Sequence, residues 1–273
     1  MALMQLNIFS KTLNMPMDVW AIIPDTIDHE QDKQKIKTFW FMHGGSAGHT
    51  SWIRSTNIEK EARDRNIAVI MPTAHDSSCV NMFQWHRYND YLGGELPTIM
   101  RNIFPILSHD RNDNWLGGFS NGGYGCLNIG LKYPQTFGRI FAGGAGDKAE
   151  VDWSTRMHEK KRVYGAETDM LNSEYSIHYL AKNLINSLNP ASSLMNNPAE
   201  TLGGANPPCP PKIFHICGEN DPWLHMNHSV RDLFQSFDNN PFAYEYMEIK
   251  NEGHTAAAME IGYTAFFNKV FAT

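Results

Sequence analysis

Short apolar runs and amphipathic stretches alternate along this chain. Ile67-Ala68-Val69-Ile70-Met71 is continuously apolar, as a central strand buried on both faces should be. Comparable β-rich runs occupy 20–24, 36–42, 114–119, 139–143, 212–217 and 244–249. Between them, 56–65, 91–104, 124–133, 229–237 and 256–270 read as helices. Thr56-Asn57-Ile58-Glu59 has capping-box spacing, with Ile58 and Ala62 facing inward on the helix it would open. Strands alternating with helices predict an α/β fold: a mostly parallel sheet with helices on both faces. The alternation lapses from about 147 to 211, where 176–188 reads as a helix and 189–211 is rich in Pro, Asn, Ser and Gly. This segment is expected to be an irregular insertion, either a plain surface loop or a cap over a site.

A chain of 273 residues suits one large domain, here spanning 1–273. Its net charge of −6 argues against a nucleic-acid partner. The densest basic run, Glu159-Lys160-Lys161-Arg162, is short and reads as a solvated face. No apolar run approaches the roughly 20 residues of a membrane span, so no membrane partner is expected. Residues 1–9 carry no Lys or Arg and no small-residue cleavage site, so no secretory signal is expected. None of Cys79, Cys126, Cys209 and Cys217 forms a C-x-x-C pair, and Cys126 and Cys217 fall in core elements. The simplest setting is the reducing cytoplasm, with association into a homo-oligomer left open.

The candidate chemistry centres on Gly118-Phe119-Ser120-Asn121-Gly122, placed where a strand meets a helix. Gly-x-Ser-x-Gly at such a turn is the nucleophile elbow of an α/β-hydrolase. A serine hydroxyl is a weak nucleophile and needs a base, and the base needs an acid to orient it. Six histidines follow Ser120: His158, His178, His215, His225, His228 and His254. His254 lies directly after the last strand, where this fold presents its base. Asp221, in Gly218-Glu219-Asn220-Asp221-Pro222, follows the strand at 212–217 and is the first choice of acid. Glu219 and Asp147 are its rivals, and Asp221 is also a plausible turn residue.

The backbone N–H of Asn121 and a Gly-rich loop after an early strand should supply the oxyanion donors. In His43-Gly44-Gly45-Ser46 the second donor is Gly45, with Gly44 the alternative. Trp52, Trp85, Tyr88 and Trp223 are candidate pocket walls, or else core. His225 and His228 have helical spacing for a metal, but Pro222 lies close by and no further ligands are evident. The chemistry requires no metal or organic cofactor, and the expected partner is a small-molecule ester.

Taken in order, His43-Gly44-Gly45, the Ser120 elbow, Asp221 and His254 resemble the esterase family that includes S-formylglutathione hydrolase (esterase D), tributyrin, acetyl and feruloyl esterases, and mycolyltransferases. The likeness is nearest to the bacterial tributyrin/acetyl esterase branch. Ser51-Trp52, Asn57-Ile58-Glu59, the run 67–72, Glu95-Leu96-Pro97 and Gly122-Gly123-Tyr124-Gly125 also carry it. Two positions depart from the family pattern: Asn121 stands where Met is usual, and Gly45 where a larger residue is common. The flanking residues that mark S-formylglutathione hydrolases are not evident. The resemblance implies a serine carboxylesterase for short-chain acyl esters. A glutathione-type thioesterase and a feruloyl or acetyl-sugar esterase are alternatives, and a non-catalytic binding protein on the same scaffold is a reading of another class.

Overall fold

The computed structural model describes residues 1–25, 35–152, 154, 157–166, 170–188 and 209–272. Eight strands form one sheet: β1 (Ala2–Ser10), β2 (Met15–Ile23), β3 (Thr38–Met42), β4 (Ala68–Pro72), β5 (Asn114–Phe119), β6 (Arg139–Gly143), β7 (Lys212–Gly218) and β8 (Glu245–Ile249). Their spatial order is β1-β2-β4-β3-β5-β6-β7-β8. The β1–β2 and β2–β4 pairs are antiparallel, and every other pair is parallel. The mostly parallel sheet is therefore as expected, with an antiparallel hairpin added at one edge. β1 alternates exposed and covered positions along its length, the pattern of an edge strand wet on one face. The central strands β3, β4 and β5 are buried throughout, as their unbroken apolar runs require.

The helices are α1 (Ser51–Ser55), α2 (Ile58–Arg65), α3 (Tyr88–Asp90), α4 (Leu96–Ile103), α5 (Asn121–Lys132), α6 (Met157–Tyr164), α7 (Ile177–Leu188), α8 (Leu224–Gln235) and α9 (Ala256–Phe271). A π-helical turn, Tyr91–Glu95, joins α3 to α4. Two apolar cores cover the two faces of the sheet. One gathers Leu96, Tyr124, Leu127, Ile177 and Phe234 from α4, α5, α7 and α8. The other gathers Trp52, Ile58, Tyr263 and Phe267 from α1, α2 and α9.

Three local expectations are corrected. Thr56 does not cap α2: the cap position is Asn57, and Thr56 Oγ1 donates back to Trp52 O at 2.6 Å, closing α1 instead. α8 begins at Leu224, several residues earlier than its apolar spacing suggests, because the Asp221–Pro222 turn launches it directly. The segment from 147 also contains α6, whose inner side carries only Val163 and Tyr164. The expected loop at 189–211 falls mostly outside the described residues.

Strand register aligns the site. Met42 pairs with Gly118, Phe119 with Gly143, Gly143 with Ile216, and Gly218 with Ile249. The loops that follow these strands thus leave the sheet at its carboxyl edge, where open α/β sheets build their sites.

Candidate active site

Ser120 sits between the end of β5 and the start of α5 with φ 59° and ψ −122°. This is a region of backbone space that residues with a Cβ rarely enter. Its N–H donates to Gly143 O at 2.8 Å and its C=O accepts from Tyr124 at 3.0 Å, so the neighbouring strand and the new helix hold the strained turn. The flanking glycines have a steric reason. A Cβ on Gly118 would lie 2.4 Å from Gly122 O, and one on Gly122 would lie 2.5 Å from Met42 O. Both neighbours are backbone and cannot step aside.

His254 follows β8. Its Nδ1–H donates to Asp221 Oδ2 at 2.6 Å, which leaves Nε2 unprotonated when the ring is neutral. Its ring lies between Phe119 at 4.4 Å and the edge of Trp223 at 4.8 Å. The Asp221 carboxylate is covered, and its Oδ1 accepts from Trp223 N–H at 2.9 Å. Burial raises its pKa, but hydrogen bonds from His254, the Trp223 backbone and the Cys217 thiol outweigh this and hold it below the ordinary carboxylate value. The same residue also makes the Asp-Pro turn ahead of α8, so the turn role and the His254 contact coexist.

The rivals for the acid position are engaged elsewhere. Asp147 is fully buried and accepts from His178 Nδ1 at 2.9 Å, Ser176 Oγ at 3.0 Å and Ala149 N–H at 3.0 Å. Glu219 accepts from the Asn251 backbone at 3.0 Å.

The Gly-rich loop after β3 is fixed by His43, a contact the sequence does not announce. His43 Nε2 accepts Ala74 N–H at 2.9 Å, so the ring proton is on Nδ1, which donates to Gly44 O at 2.7 Å. A peptide unit is planar and trans. Holding Gly44 O therefore turns the N–H of Gly45 to the opposite side. Gly45 also meets the departure at position 121: a Cβ there would lie 2.9 Å from Asn121 Nδ2. A small residue at 45 and a polar one at 121 thus fit together.

Ser120, His254, Gly44, Gly45 and Asn121 all line one cavity of about 730 Å³. Of the four candidate wall residues, two lie on it. Trp52 stacks on Phe41 at 4.5 Å, donates to Met42 O at 3.1 Å and lines the cavity beside Trp223. Tyr88 does not line it: it is buried and its hydroxyl bonds His75 Nδ1 at 2.8 Å. Trp85 does not line it either, being exposed against His86. Sequence reasoning missed Lys148, Glu150, Val151, Asp152 and Lys160, which come from the 147–164 segment and form part of the wall. The one available signal was the lapse of strand–helix alternation from about 147, which allowed a cap over the site. His225 and His228 share α8, as their spacing suggested, but His225 faces the cavity while His228 bonds Glu248 at 2.8 Å. Among the described residues no group of three His, Cys, Asp or Glu side chains could hold a metal ion.

A strained serine at a strand–helix elbow, on a mostly parallel sheet and sharing a cavity with a histidine, defines the α/β-hydrolase class. The Esterase family model matches residues 10–185, and the chain belongs to this family of serine carboxylic ester hydrolases. It is 27% identical over 260 residues to an acetyl esterase of Caldicellulosiruptor saccharolyticus, covering 91% of this chain and 90% of that one. It is 23% identical over 174 residues to the S-formylglutathione hydrolase of Paracoccus denitrificans (strain Pd 1222), covering 54% and 58%. Among solved structures it resembles substrate-bound fluorophosphonate-binding serine hydrolase F of Staphylococcus aureus, with a TM-score of 0.81, 24% identity and 98% coverage of both chains. No helix among the described residues is long and apolar enough to cross a membrane.

Proposed function

We propose that the chain hydrolyses short-chain acyl esters through Ser120, His254 and Asp221. The observation that carries this reading is the 2.6 Å bond from His254 Nδ1 to a buried Asp221, on the cavity that also exposes Ser120. In this mechanism His254 Nε2 takes the Ser120 proton as Oγ attacks the ester carbonyl. The Asn121 N–H, unused at the start of a helix, and the Gly45 N–H stabilise the oxyanion. Asp221 stabilises the imidazolium that forms. The alcohol leaves with a proton from His254, and water releases the acid by the reverse roles. Wall residues from 147–164 support the reading of that segment as a partial cap. The four cysteines are all free thiols, which suits the reducing cytoplasm.

The test is a p-nitrophenyl ester series of rising acyl length, joined by a fluorophosphonate probe. Ser120→Ala should abolish both turnover and labelling. Retention of full activity would sink the mechanism, and absence of any label on wild type would favour a non-catalytic scaffold. Asp221→Asn should lower kcat by about 10⁴, whereas Asp147→Asn should leave kcat within a few fold. The reverse order would move the acid to Asp147. Including S-formylglutathione, feruloyl and acetyl-sugar esters in the panel separates the alternative substrates.

A further inference from the structure

A second cavity, of about 110 Å³, opens beside the reaction centre. It shares Gly45, Asn121, Lys148, Val151 and Lys160 with the main cavity, so the two meet at the oxyanion wall. Neither His254 nor Trp223 borders it. That asymmetry gives the side cavity a direction. In the proposed mechanism the leaving oxygen must face His254, so the alcohol lies on the His254–Trp223 side. A group that passes the Asn121–Gly45 wall belongs to the acyl half of the ester.

The side cavity is of mixed character, with Val151, Val163 and Tyr164 beside several charged side chains. Its far wall carries Glu159 and Arg162 from α6, and Asp76 also borders it. Lys148 lies 5.8 Å from the centre of the Tyr124 ring, and Lys160 donates to the Asp152 carbonyl. Glu159 is engaged within the protein. The exposed Arg162 guanidinium forms no hydrogen bond or ion pair among the described residues. A guanidinium fork pairs best with a planar carboxylate, through two parallel N–H donors. The basic run read from sequence as a solvated face therefore turns part of itself toward the reaction centre. The Asn121 carboxamide, on the shared wall, adds a polar surface where an apolar side chain is usual in the family.

We propose that the side cavity is an acyl subsite for esters of short dicarboxylic acids, with Arg162 receiving the distal carboxylate. This rests on the Ser120–His254 mechanism above. In the reaction the Ser120 Oγ–carbonyl bond forms as the ester C–O bond breaks, and His254 passes the serine proton to the departing alcohol. Water then adds to the acyl-enzyme and its proton returns through His254 to Ser120 Oγ. The free dicarboxylate and one solvent proton are the products.

The experiment compares ethyl hydrogen succinate with ethyl butyrate, esters of equal acyl length, by titrating the acid released. Arg162→Ala should lower kcat/KM for the succinate ester about fivefold while ethyl butyrate stays within twofold, the size expected of an exposed pair. Arg162→Glu should lower it further, Arg162→Lys should restore part of it, and roughly 1 M salt should erase the difference. Carboxymethyl butyrate, which carries its carboxylate on the alcohol half, should not respond. An unchanged succinate-to-butyrate ratio in both Arg162→Ala and Arg162→Glu would overturn the proposal, as would a loss confined to carboxymethyl butyrate. Failure of the underlying mechanism is seen separately, as residual hydrolysis of ethyl butyrate by Ser120→Ala.

Discussion

At Ser120 the backbone is held where a Cβ is unwelcome, with φ 59° and ψ −122°. Such a conformation costs on the order of 1–3 kcal/mol and persists because surrounding bonds over-determine it. The strain can be separated from the chemistry. Ser120→Ala keeps the Cβ and the strain, whereas Ser120→Gly removes both. Thermal unfolding should find the glycine variant more stable than the alanine variant by about 1 kcal/mol, with neither active. Equal melting temperatures would mean that the elbow stores no strain. His43 acts at the same scale. Its Nδ1–H holds Gly44 O and so orients the Gly45 N–H. His43→Leu should lower kcat by about 10²-fold with little change in KM, as expected for a misplaced oxyanion donor. These residues differ in how legible they were. The serine and its glycines are written in the sequence because the elbow needs those residue types at fixed spacing. The acid was not, since Asp221 and Asp147 both follow parallel strands, and only the positions of His254 and His178 show which histidine each one meets.

Among elements, the loop after β6 matters most. Asp147 lies in that loop, four residues past Gly143, and receives Ser176 Oγ, the His178 backbone and the His178 ring, so it ties the end of the sheet to the start of α7. Just beyond it, Lys148, Glu150, Val151 and Asp152 form a wall of the main cavity. Replacing Asp147 by Asn leaves buried donors poorly paired and should cost about 2–3 kcal/mol. The pH dependence has a definite sign. Burial raises the Asp147 pKa, but the His178 and backbone hydrogen bonds overcome it and set it below the ordinary 3.8. A depressed carboxylate pKa stabilises the fold above its unfolded value, and that contribution fades as pH falls. Urea titrations should therefore show wild type and Asp147→Asn well separated at pH 6 and converging below about pH 4. The sequence could not reveal this tie, because the partners lie about thirty residues apart in a stretch where strand and helix signals fade. α6 was hidden for a related reason: in Met157–Tyr164 only Val163 and Tyr164 are buried, too little apolar spacing to register. β1 was passed over because its half-wet alternation is weaker than the buried runs at the centre of the sheet.

For the whole molecule, the same burial that makes the parallel strands readable sets the acid limit of stability. Apolar runs specified the sheet because its central strands are dry on both faces, and the histidines trapped within that dry interior are not free to charge. His215, on β7, is fully buried between Tyr244 OH at 2.8 Å and Asn227 Oδ1 at 3.0 Å, clipping β7 to α8 and to the entry of β8. Burial lowers its pKa from 6.5 to about 4, despite the opposing bond to Asn227. Burial likewise lowers that of His43, whose Nε2 must stay unprotonated to accept Ala74 N–H. A histidine pKa that is lower in the folded state means the unfolded chain binds the proton first. The stability due to a neutral His215 is complete above pH 6.5 and is lost as pH falls toward 4, by about 3 kcal/mol over the window. Asp147 and Asp221 contribute nothing to that slope and take over only below about 3.8. Acid destabilisation should thus come in two stages, a histidine stage and then a carboxylate stage. Urea midpoints measured at half-unit steps from pH 7 to 3 should decline from about pH 6.5. In His215→Phe the first stage should flatten, although the variant starts lower because Tyr244 and Asn227 lose a partner. A wild-type midpoint that holds constant down to pH 4 would show that the buried histidines charge without opening the sheet.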